Sequence, residues 1–381
     1  MTLSKYRFEE IAINCTQKRF PTEEDQPLYI GLEHLDTGNL HVDRWGSSVP
    51  LKGEKLVMRK GDVLLGRRNA YLRRAAVAPH DGLFSAHGMV LQPREDVIDR
   101  DFFPLFIASD YFFDEANRIS VGSLSPTINW KDLRNVEFEL PNKEKQRELA
   151  KVLWAMDATK RSYQKLLQKT DELVKAQFMD KFVIGNSYPR KQLGEYIEQV
   201  RGVSYKPADI RTTLNENSIL LLRANNISSG RINHFDVQYV AREKVSGEQI
   251  IRLNDILMCA SSGSIDHVGK AAICERDAVG ETFGAFCKLI RLKGELLPKY
   301  IATYFETDEY RKIIMQLACG SNINNLKTEH IDNLMIPIPP IEVQEQFVAF
   351  VRQCDKSKLE LEQALTELNA TYKKIISDNL T

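Results

Sequence analysis

The chain has 381 residues, of which 43% are hydrophobic, so it can form real cores and is not a disordered or collagen-like chain. Its 52 basic and 52 acidic side chains cancel, which excludes a uniformly basic nucleic-acid-binding coat but leaves room for a local basic patch. No apolar run is long enough to span a bilayer, and the first residues, MTLSKYRFEEIAIN, carry acids where a secretory signal has an unbroken apolar core.

The cysteines indicate a reducing compartment. They are widely spaced, with no C-x-x-C pair: Cys15, Cys259, Cys274, Cys287, Cys319 and Cys354. Such scatter in a large chain argues against a disulfide framework and against a zinc knuckle, and the seven histidines have no zinc-helix spacing. We therefore expect buried core thiols in a cytoplasmic protein without a metal site.

The first 140 residues predict a mixed unit of strands and one helix. The segments with strand character are Leu28–Leu32, Asp62–Leu65, Met89–Leu91 and Val136–Leu140, and helical spacing covers Arg100–Asn117. Asp62 stands before an apolar strand, as does Asp255 later in the chain. The pair would suit catalysis, but an acid at a turn before a strand more commonly binds the turn backbone.

One window of this first unit concentrates positive charge. The stretch RKGDVLLGRRNAYLRR, residues 59–74, holds six basic residues and one acid. Arginine forks suit phosphate and guanine, and an amide suits adenine, so we interpret the window as a nucleic-acid-binding loop. The alternative is a hairpin with solvated arginines. The candidate contact residues here, with two from the earlier loop CTQKRF, are Lys18, Arg19, Arg67, Arg68, Asn69, Tyr71, Arg73 and Arg74.

A heptad pattern follows Pro141 and recurs after Pro339–Pro340. Apolar residues three and four apart predict long helices over 143–181 and 341–379, each about 58 Å long at 1.5 Å per residue. A long helix with one apolar stripe needs a partner, so we expect the two to pack antiparallel rather than each on its own globular domain. The predicted seam is Leu149, Val152, Met156, Tyr163, Leu166, Leu173, Phe347, Phe350, Leu361, Ala364, Leu368 and Ile375.

Residues 183–338 predict a second mixed unit, which begins after the turn-rich boundary Ile184–Pro189. Its expected strands are Ile219–Leu222, Ile256–Cys259, Phe286–Ile290 and Leu334–Ile338, and its expected helix is Leu297–Leu317. Small and polar loop residues let backbone amides approach phosphate closely. The candidate nucleic-acid contacts of this unit are Arg201, Ser204, Tyr205, Lys206, Arg223, Asn225, Asn226, Ser261, Ser262, Ser264, His267 and Lys270.

The chain also aligns with itself at an offset of 198 residues. The segment GSLSPTINWKDLRNVEFELPNKEKQREL from Gly122 matches GSNINNLKTEHIDNLMIPIPPIEVQEQF from Gly320 without a gap. A weaker match lies upstream, where KGDVLLG resembles LNDILMC at an offset of 193. This internal repeat predicts two look-alike halves with pseudo-twofold symmetry. The expected domains are 1–142 and 183–338, and the expected long helices are 143–182 and 339–381.

Motifs for catalysis are missing from the sequence. It has no G-x-x-x-x-G-K-[ST] loop, no G-x-S-x-G elbow and no Asn/Asp-Pro-Pro-aromatic run of the kind that clamps a flipped adenine. We therefore expect a non-catalytic chain.

The duplicated pattern of Gly-Ser, an apolar alternation ending in Leu-Pro or Ile-Pro-Pro, Glu-x-Gln and a long heptad helix resembles the specificity subunit of type I restriction–modification systems. Asn142 departs from the family's double proline. The resemblance covers essentially the whole chain and implies a mixed α/β (α+β) fold. In that family two target recognition domains each read half of a split double-stranded DNA site, and paired coiled-coil helices set the spacing.

The resemblance also implies partners. Two modification subunits that bind S-adenosylmethionine and methylate adenine would assemble on this chain, and restriction subunits driven by ATP can join. The chain itself would hold no cofactor and would not contact a membrane. The rival interpretation is a coiled-coil interaction scaffold without DNA contact. A third interpretation is a fused methyltransferase or nuclease, which no motif supports. Within the family, the chain could also serve a methylation-only or phage-defence system.

Overall fold

The computed structural model describes residues 3–185, 188–318 and 324–380. Three parts of the predictions lie outside the described residues: positions 186–187 of the boundary Ile184–Pro189, Cys319, and the first residues of the second repeat copy, Gly320–Ile323. The chain divides into two compact units. Unit 1 contains the chain up to residue 164 together with the residues from 362 onward, and unit 2 is 165–361. Each long helix therefore contributes to both units.

Unit 1 mixes short strands with helices. Its strands are β1 (Ser4–Arg7), β2 (Ala12–Cys15), β3 (Lys18–Arg19), β4 (Lys55–Met58), β5 (Val63–Gly66), β6 (Ala75–Val77), β7 (Gly82–Phe84), β8 (Gly88–Pro93) and β9 (Glu137–Leu140). Its helices are α1 (Phe8–Ile11), α2 (Phe102–Ile107), α3 (Asp110–Arg118), α4 (Trp130–Leu133) and the first part of α5 (Lys143–Phe178).

Unit 2 has the same plan with additional strands. These are β10 (Arg190–Gln192), β11 (Ile197–Arg201), β12 (Ile210–Arg211), β13 (Ser218–Leu222), β14 (Ile227–Ser228), β15 (Arg231–Ile232), β16 (Gln238–Ala241), β17 (Ile256–Cys259), β18 (Ser261–Ser262), β19 (Ala271–Ile273), β20 (Thr282–Phe283), β21 (Cys287–Leu292), β22 (Asn324–Asn325) and β23 (Met335–Pro337). The helices are α6 (Pro298–Tyr304), α7 (Asp308–Ala318), α8 (Thr328–Asp332) and α9 (Ile341–Leu380), and a π-turn at Met179–Ile184 extends α5.

The predicted duplication is confirmed by sheet topology. Unit 1 has an antiparallel sheet in the order β2-β8-β5-β6, and unit 2 has the corresponding order β11-β21-β17-β19. A two-stranded sheet accompanies each, β1-β9 and β10-β23. The remaining sheets differ, since β3-β4-β7 has three strands and β12-β16-β13-β20 has four. A shared frame thus carries different additions in the two units.

A buried glutamine explains why Glu-x-Gln recurs after each proline. Gln146 accepts the backbone amide of Asp99 at 2.7 Å and donates to the carbonyl of Pro141 at 2.8 Å. Gln344 makes the same bonds with the residues 198 positions later, both at 3.0 Å. Both side chains are buried, where an unpaired backbone group is costly. The amide therefore fixes the start of each long helix against its own unit.

The two long helices pack antiparallel, as predicted. In unit 1 the start of α5, at Leu149 and Leu153, shares one apolar core with the end of α9, at Ile376 and Leu380. In unit 2 the end of α5 shares a core with the start of α9 through Val174, Phe178, Phe347 and Val351. The Nζ atom of Lys358 on α9 lies 2.7 Å from Oδ1 of Asp171 on α5. Apolar and charged contacts both join the helices.

Three of the twelve predicted seam positions, all of them in α5, are exposed instead of packed. Val152, Leu166 and Leu173 are 48%, 51% and 47% exposed. The other nine predicted seam positions are buried or half-buried, Phe350 and Ala364 among them. In α5 the residues that follow the three exposed ones, Leu153, Leu167 and Val174, are buried or half-buried instead. Apolar residues occupy both neighbouring positions, and the side on which the partner helix lies decides which of them is buried.

Two predicted elements differ from the structure. Arg100–Asn117 is two helices, because Ser109 caps α3 by accepting the amide of Phe112 at 3.1 Å and donates to the carbonyl of Phe106 at 2.6 Å. The predicted helix Leu297–Leu317 divides in the same way, at Thr307. The predicted strand Leu28–Leu32 is wrong: Leu28 ends one 3-10 helix, Leu32 begins another, and between them Ile30 forms a single bridge to Phe84.

The five described cysteines are free thiols. Cys259, Cys274, Cys287 and Cys354 are buried, and burial raises the pKa of the Cys274 and Cys287 thiols. Such thiols act as small apolar core residues. Within the three described ranges, no helix has both the length and the apolar character needed to cross a bilayer.

Candidate nucleic-acid interface

In unit 1 the predicted basic loop leaves the end of β5 and meets the repeat segment that begins at Gly122. Ile128 donates its amide to the carbonyl of Arg67 at 3.0 Å, and Arg68 and Thr127 form a β-bridge. Ser125 Oγ donates to Oδ1 of Asn69 at 2.9 Å. The sequence indicated both segments but not that they meet.

Unit 2 repeats this contact with different residues. Leu326 donates its amide to the carbonyl of Ala260 at 2.8 Å, as Ile128 does to Arg67. The strand β18 pairs with β22, with Ser261 opposite Asn325. Ala260 and Ser261 therefore occupy the places that Arg67 and Arg68 hold in unit 1. The same backbone arrangement presents two guanidinium groups in one unit and small side chains in the other.

Arg67 and Arg68 are cations without a carboxylate partner in the part of the chain that the structure describes. Arg67 Nε is buried and unpaired. Burial, and after it the charges of Arg68 and Arg67, lower the pKa of His87. The charges of Arg67 and Arg68 make the loop positive, which attracts an anionic ligand such as a phosphate backbone.

The other candidate arginines of unit 1 are held by the protein itself. Arg73 contacts Asp110 and Asp114 of α3, both at 2.5 Å. Arg74 donates to the carbonyl of Leu32 at 3.1 Å. Arg19 forms a two-pronged pair with Asp25, at 2.5 Å for both bonds, and its hydrogen bond holds the pKa of the Asp25 carboxyl well below its usual range. Tyr71 and Lys18 remain exposed.

In unit 2 a hydrogen-bonded loop surrounds another predicted cluster. Asn226 is buried and donates to the carbonyls of Asn233 at 3.0 Å and Phe235 at 2.8 Å, so it is a structural residue. Arg223 donates to Oδ2 of Asp236 at 2.9 Å, and Asn225 donates to the same oxygen at 3.3 Å. This carboxylate orients the two polar side chains at the surface.

The remaining candidates of unit 2 have mixed exposure. Tyr205 is half-buried and its hydroxyl donates to Oε1 of Gln238 at 3.4 Å. Ser261 and Ser262 are half-buried in β18. The exposed candidates are Arg201, Ser204, Lys206, Ser264, His267 and Lys270.

Lys288 is a polar residue of unit 2 that sequence reasoning missed. It is buried on β21, and its ammonium donates to Oε1 of Gln199 at 3.2 Å and to Oγ1 of Thr328 at 3.3 Å. Burial, with the charge of Arg201 next, lowers its pKa. The signal was a lysine inside the otherwise apolar strand CKLIRL.

The repeated pair Asp62 and Asp255 serves its turns. Asp62 accepts the amide of Arg59 and Nε2 of Gln92, both at 2.8 Å. Asp255 accepts the amide of Arg252 at 2.8 Å and binds Arg291 through two nitrogens, at 2.9 and 2.8 Å. The structure favours the turn role over a catalytic one. No group of three or more His, Cys, Asp or Glu suited to a metal occurs within 3–185, 188–318 and 324–380.

This pair gives a stability prediction. Asp255→Ala should lower the free energy of unfolding by about 3 kcal/mol, because it leaves the Arg291 guanidinium buried without its carboxylate. Arg291→Gln recreates the amide found at Gln92 of unit 1 and should cost only about 1 kcal/mol. Urea unfolding of the three proteins measures both. Equal losses in the two variants would contradict the role assigned to the ion pair.

Comparisons with known proteins agree with the duplicated frame. A family model described as type I restriction modification DNA specificity domain matches residues 33–170 and 214–370. The StySPI specificity subunit of Salmonella potsdam is 36% identical over 168 residues, and the EcoKI specificity subunit of Escherichia coli is 35% identical over 168. Each match covers 43% of this chain and only 36% of the relative's length.

Other relatives cover more of the chain. The MjaVIII specificity subunit of Methanocaldococcus jannaschii is 20% identical over 366 residues, which is 89% of this chain and 84% of that protein. A chain from a solved type I R-M system aligns with a TM-score of 0.61 and 17% identity over 99% of this chain and 97% of its own. The S subunit of M. genitalium has a TM-score of 0.57 and 12% identity, covering 100% of this chain and 96% of its own. These two structures share the fold.

Proposed function

The chain belongs to the type I restriction–modification DNA specificity family, and from this membership we propose that it is the DNA-recognition subunit of such a complex. Each unit reads one half of a bipartite site in double-stranded DNA. The subunit itself is non-catalytic. Two methyltransferase subunits, which hold S-adenosylmethionine, dock on it in the cytoplasm, and restriction subunits driven by ATP can join them.

One observation supports the proposal that the two units read different DNA sequences. The same backbone contact presents Arg67 and Arg68 in unit 1 and Ala260 and Ser261 in unit 2. A common frame with different side chains suits two different half-sites, because base edges are read by side chains while the frame fixes the register. Among the described residues these guanidinium groups have no carboxylate partner, which favours DNA over a neutral protein as their ligand.

The long helices suit a spacing and docking role. Both α5 and α9 begin in one unit and end in the other, so their length constrains the distance between half-sites. Val152, Leu166 and Leu173 are half-exposed on α5 and stand 14 and 7 residues apart, so they form one apolar stripe, and such a stripe favours a protein partner. We assign them to methyltransferase docking. Because the net charge is zero, the partner subunits would supply much of the nonspecific grip on DNA.

Methylome mapping tests the proposal. The chain is co-expressed with methyltransferase subunits of its system, and modified bases are located by long-read sequencing. We expect methylated adenines in one split motif whose half-sites are centred on the order of one helical turn apart, about 10 bp. The methyltransferase subunits alone are the control and should leave no motif. A methylated motif without a gap, or none with the chain present, would contradict the function.

A further inference from the structure

The segment 121–127 of unit 1 ends in an exposed apolar tip. Leu124 is 96% exposed, which is the highest value for any large hydrophobic side chain among the described residues. Val121, at the base of the same loop, is 62% exposed. Scattered exposed leucines are common, so exposure alone assigns no role.

The backbone holds this tip in place. Val121 and Thr127 exchange two hydrogen bonds, at 3.1 and 2.9 Å, and so close the loop at its base. Gly122 turns with φ = 114°, a conformation that other residues rarely adopt. The bond from Ser125 to Asn69 and the bond from the Ala70 amide to the carbonyl of Pro126, at 3.1 Å, tie the loop to the basic segment. The tip is therefore preorganised.

Two arginines adjoin the base of this loop. Thr127 bridges to Arg68, and Ile128 bonds the backbone of Arg67, the two arginines that have no carboxylate partner in the described chain. An apolar protein partner would meet unpaired positive charge around the leucine. A DNA duplex offers both complements, since phosphates match the guanidinium groups and stacked bases accept an aliphatic side chain.

We propose that Leu124 is a wedge that inserts between two stacked base pairs of the first half-site, with Arg67 and Arg68 holding the DNA beside it. Proteins that kink DNA insert leucine and similar apolar side chains at single base steps in this way. The rigid loop lowers the ordering cost of insertion. This inference rests on the proposed function and adds a residue that sets the position and deformability of the site.

Fluorescence of 2-aminopurine tests the wedge. Duplexes carrying the mapped site have 2-aminopurine at successive positions of the first half-site, and the complete complex with its methyltransferase subunits is added. The target adenine is left out of the scan because methyltransferases extrude that base. At the other positions we expect fluorescence to rise at one step with the wild-type chain and with Leu124→Phe. Leu124→Ala should abolish that rise and weaken binding about tenfold, the order of magnitude expected when the burial of one leucine side chain is lost. Val49→Ala, at another exposed apolar residue of unit 1, is the control and should behave as wild type.

The outcomes separate the wedge from the function on which it rests. The wedge alone would be overturned if the wild-type complex bound its site but no position became fluorescent. It would also be overturned if Leu124→Ala bound the site with unchanged affinity. Failure of Leu124→Ala to assemble with the methyltransferase subunits would also overturn it, in favour of a protein contact. Absence of any sequence-specific binding by the wild-type complex would overturn the proposed function and the wedge together.

Discussion

Alanine at both Arg67 and Arg68 is expected to weaken binding of the assembled complex to its target about 100-fold, because each arginine contact to DNA typically contributes a factor of about ten. The two guanidinium groups have no internal carboxylate to occupy them in the described chain, so they are available to a ligand. Arg67 is half-buried, and partial removal from water strengthens the attraction of its charge to phosphate. Binding is measured by titration of a labelled duplex at fixed salt.

The same titration distinguishes bases from phosphates. A base contact should relax one position of the first half-site, whereas a phosphate contact should weaken all sequences alike and reduce the salt dependence. Arg73→Ala is the matched control, since Asp110 and Asp114 already hold that guanidinium, and its affinity should stay within about twofold of wild type. If the double variant bound DNA as tightly as the wild type, the basic loop would not be part of the interface.

Insertion of one heptad into both long helices is expected to lengthen the gap between half-sites by about three base pairs without changing either half-site. Seven residues add about 10.5 Å to a helix at 1.5 Å per residue, and one base pair rises 3.4 Å. The insertions belong after Gln164 in α5 and after Leu361 in α9, where the compact units divide. The original site should be lost from the methylome and replaced by the longer one.

A five-residue insertion at the same places is the control for helix phase. Seven residues return the apolar stripe to within about 20° of its direction, whereas five turn it by about 140°. The five-residue variant should therefore unfold at lower temperature and leave no defined motif. Altered half-site bases in the heptad variant, or an unchanged gap, would refute the spacing role of the helices.

The duplication could be predicted from the sequence because its signals are local. Gly122, Pro141 and Gln146 recur 198 residues later, and each marks a turn, a strand end or a helix start that depends on a few neighbouring residues. Heptad spacing likewise predicted two long helices with nearly correct ends. The division of Arg100–Asn117 at Ser109 was missed, because helical periodicity continues across a capping residue.

The candidate interface was only partly predictable. The charge of residues 59–74 indicated a basic loop, but Arg73 and Asp110 are 37 residues apart in the chain and form an ion pair at 2.5 Å. Nothing near Arg73 in the sequence distinguishes it from Arg68, which remains unpaired in the described chain. Leu124 follows the Gly-Ser pair of the first repeat copy, and nothing in that pattern marks it as exposed. Its loop lies next to Arg68 because Arg68 and Thr127, 59 residues apart in the chain, form a bridge.

By itself the sequence determined the mixed α/β class, the two similar halves, the antiparallel helices and the family, since periodicity and repeated motifs reflect backbone preferences that act within one or two turns. Only the tertiary structure decided which phase of each helix is buried, as at Leu153 instead of Val152, and which arginines are free for a ligand. The buried phase and the free arginines both depend on which side chain lies opposite in space. That opposing residue comes from a distant part of the chain, so local sequence patterns do not identify it.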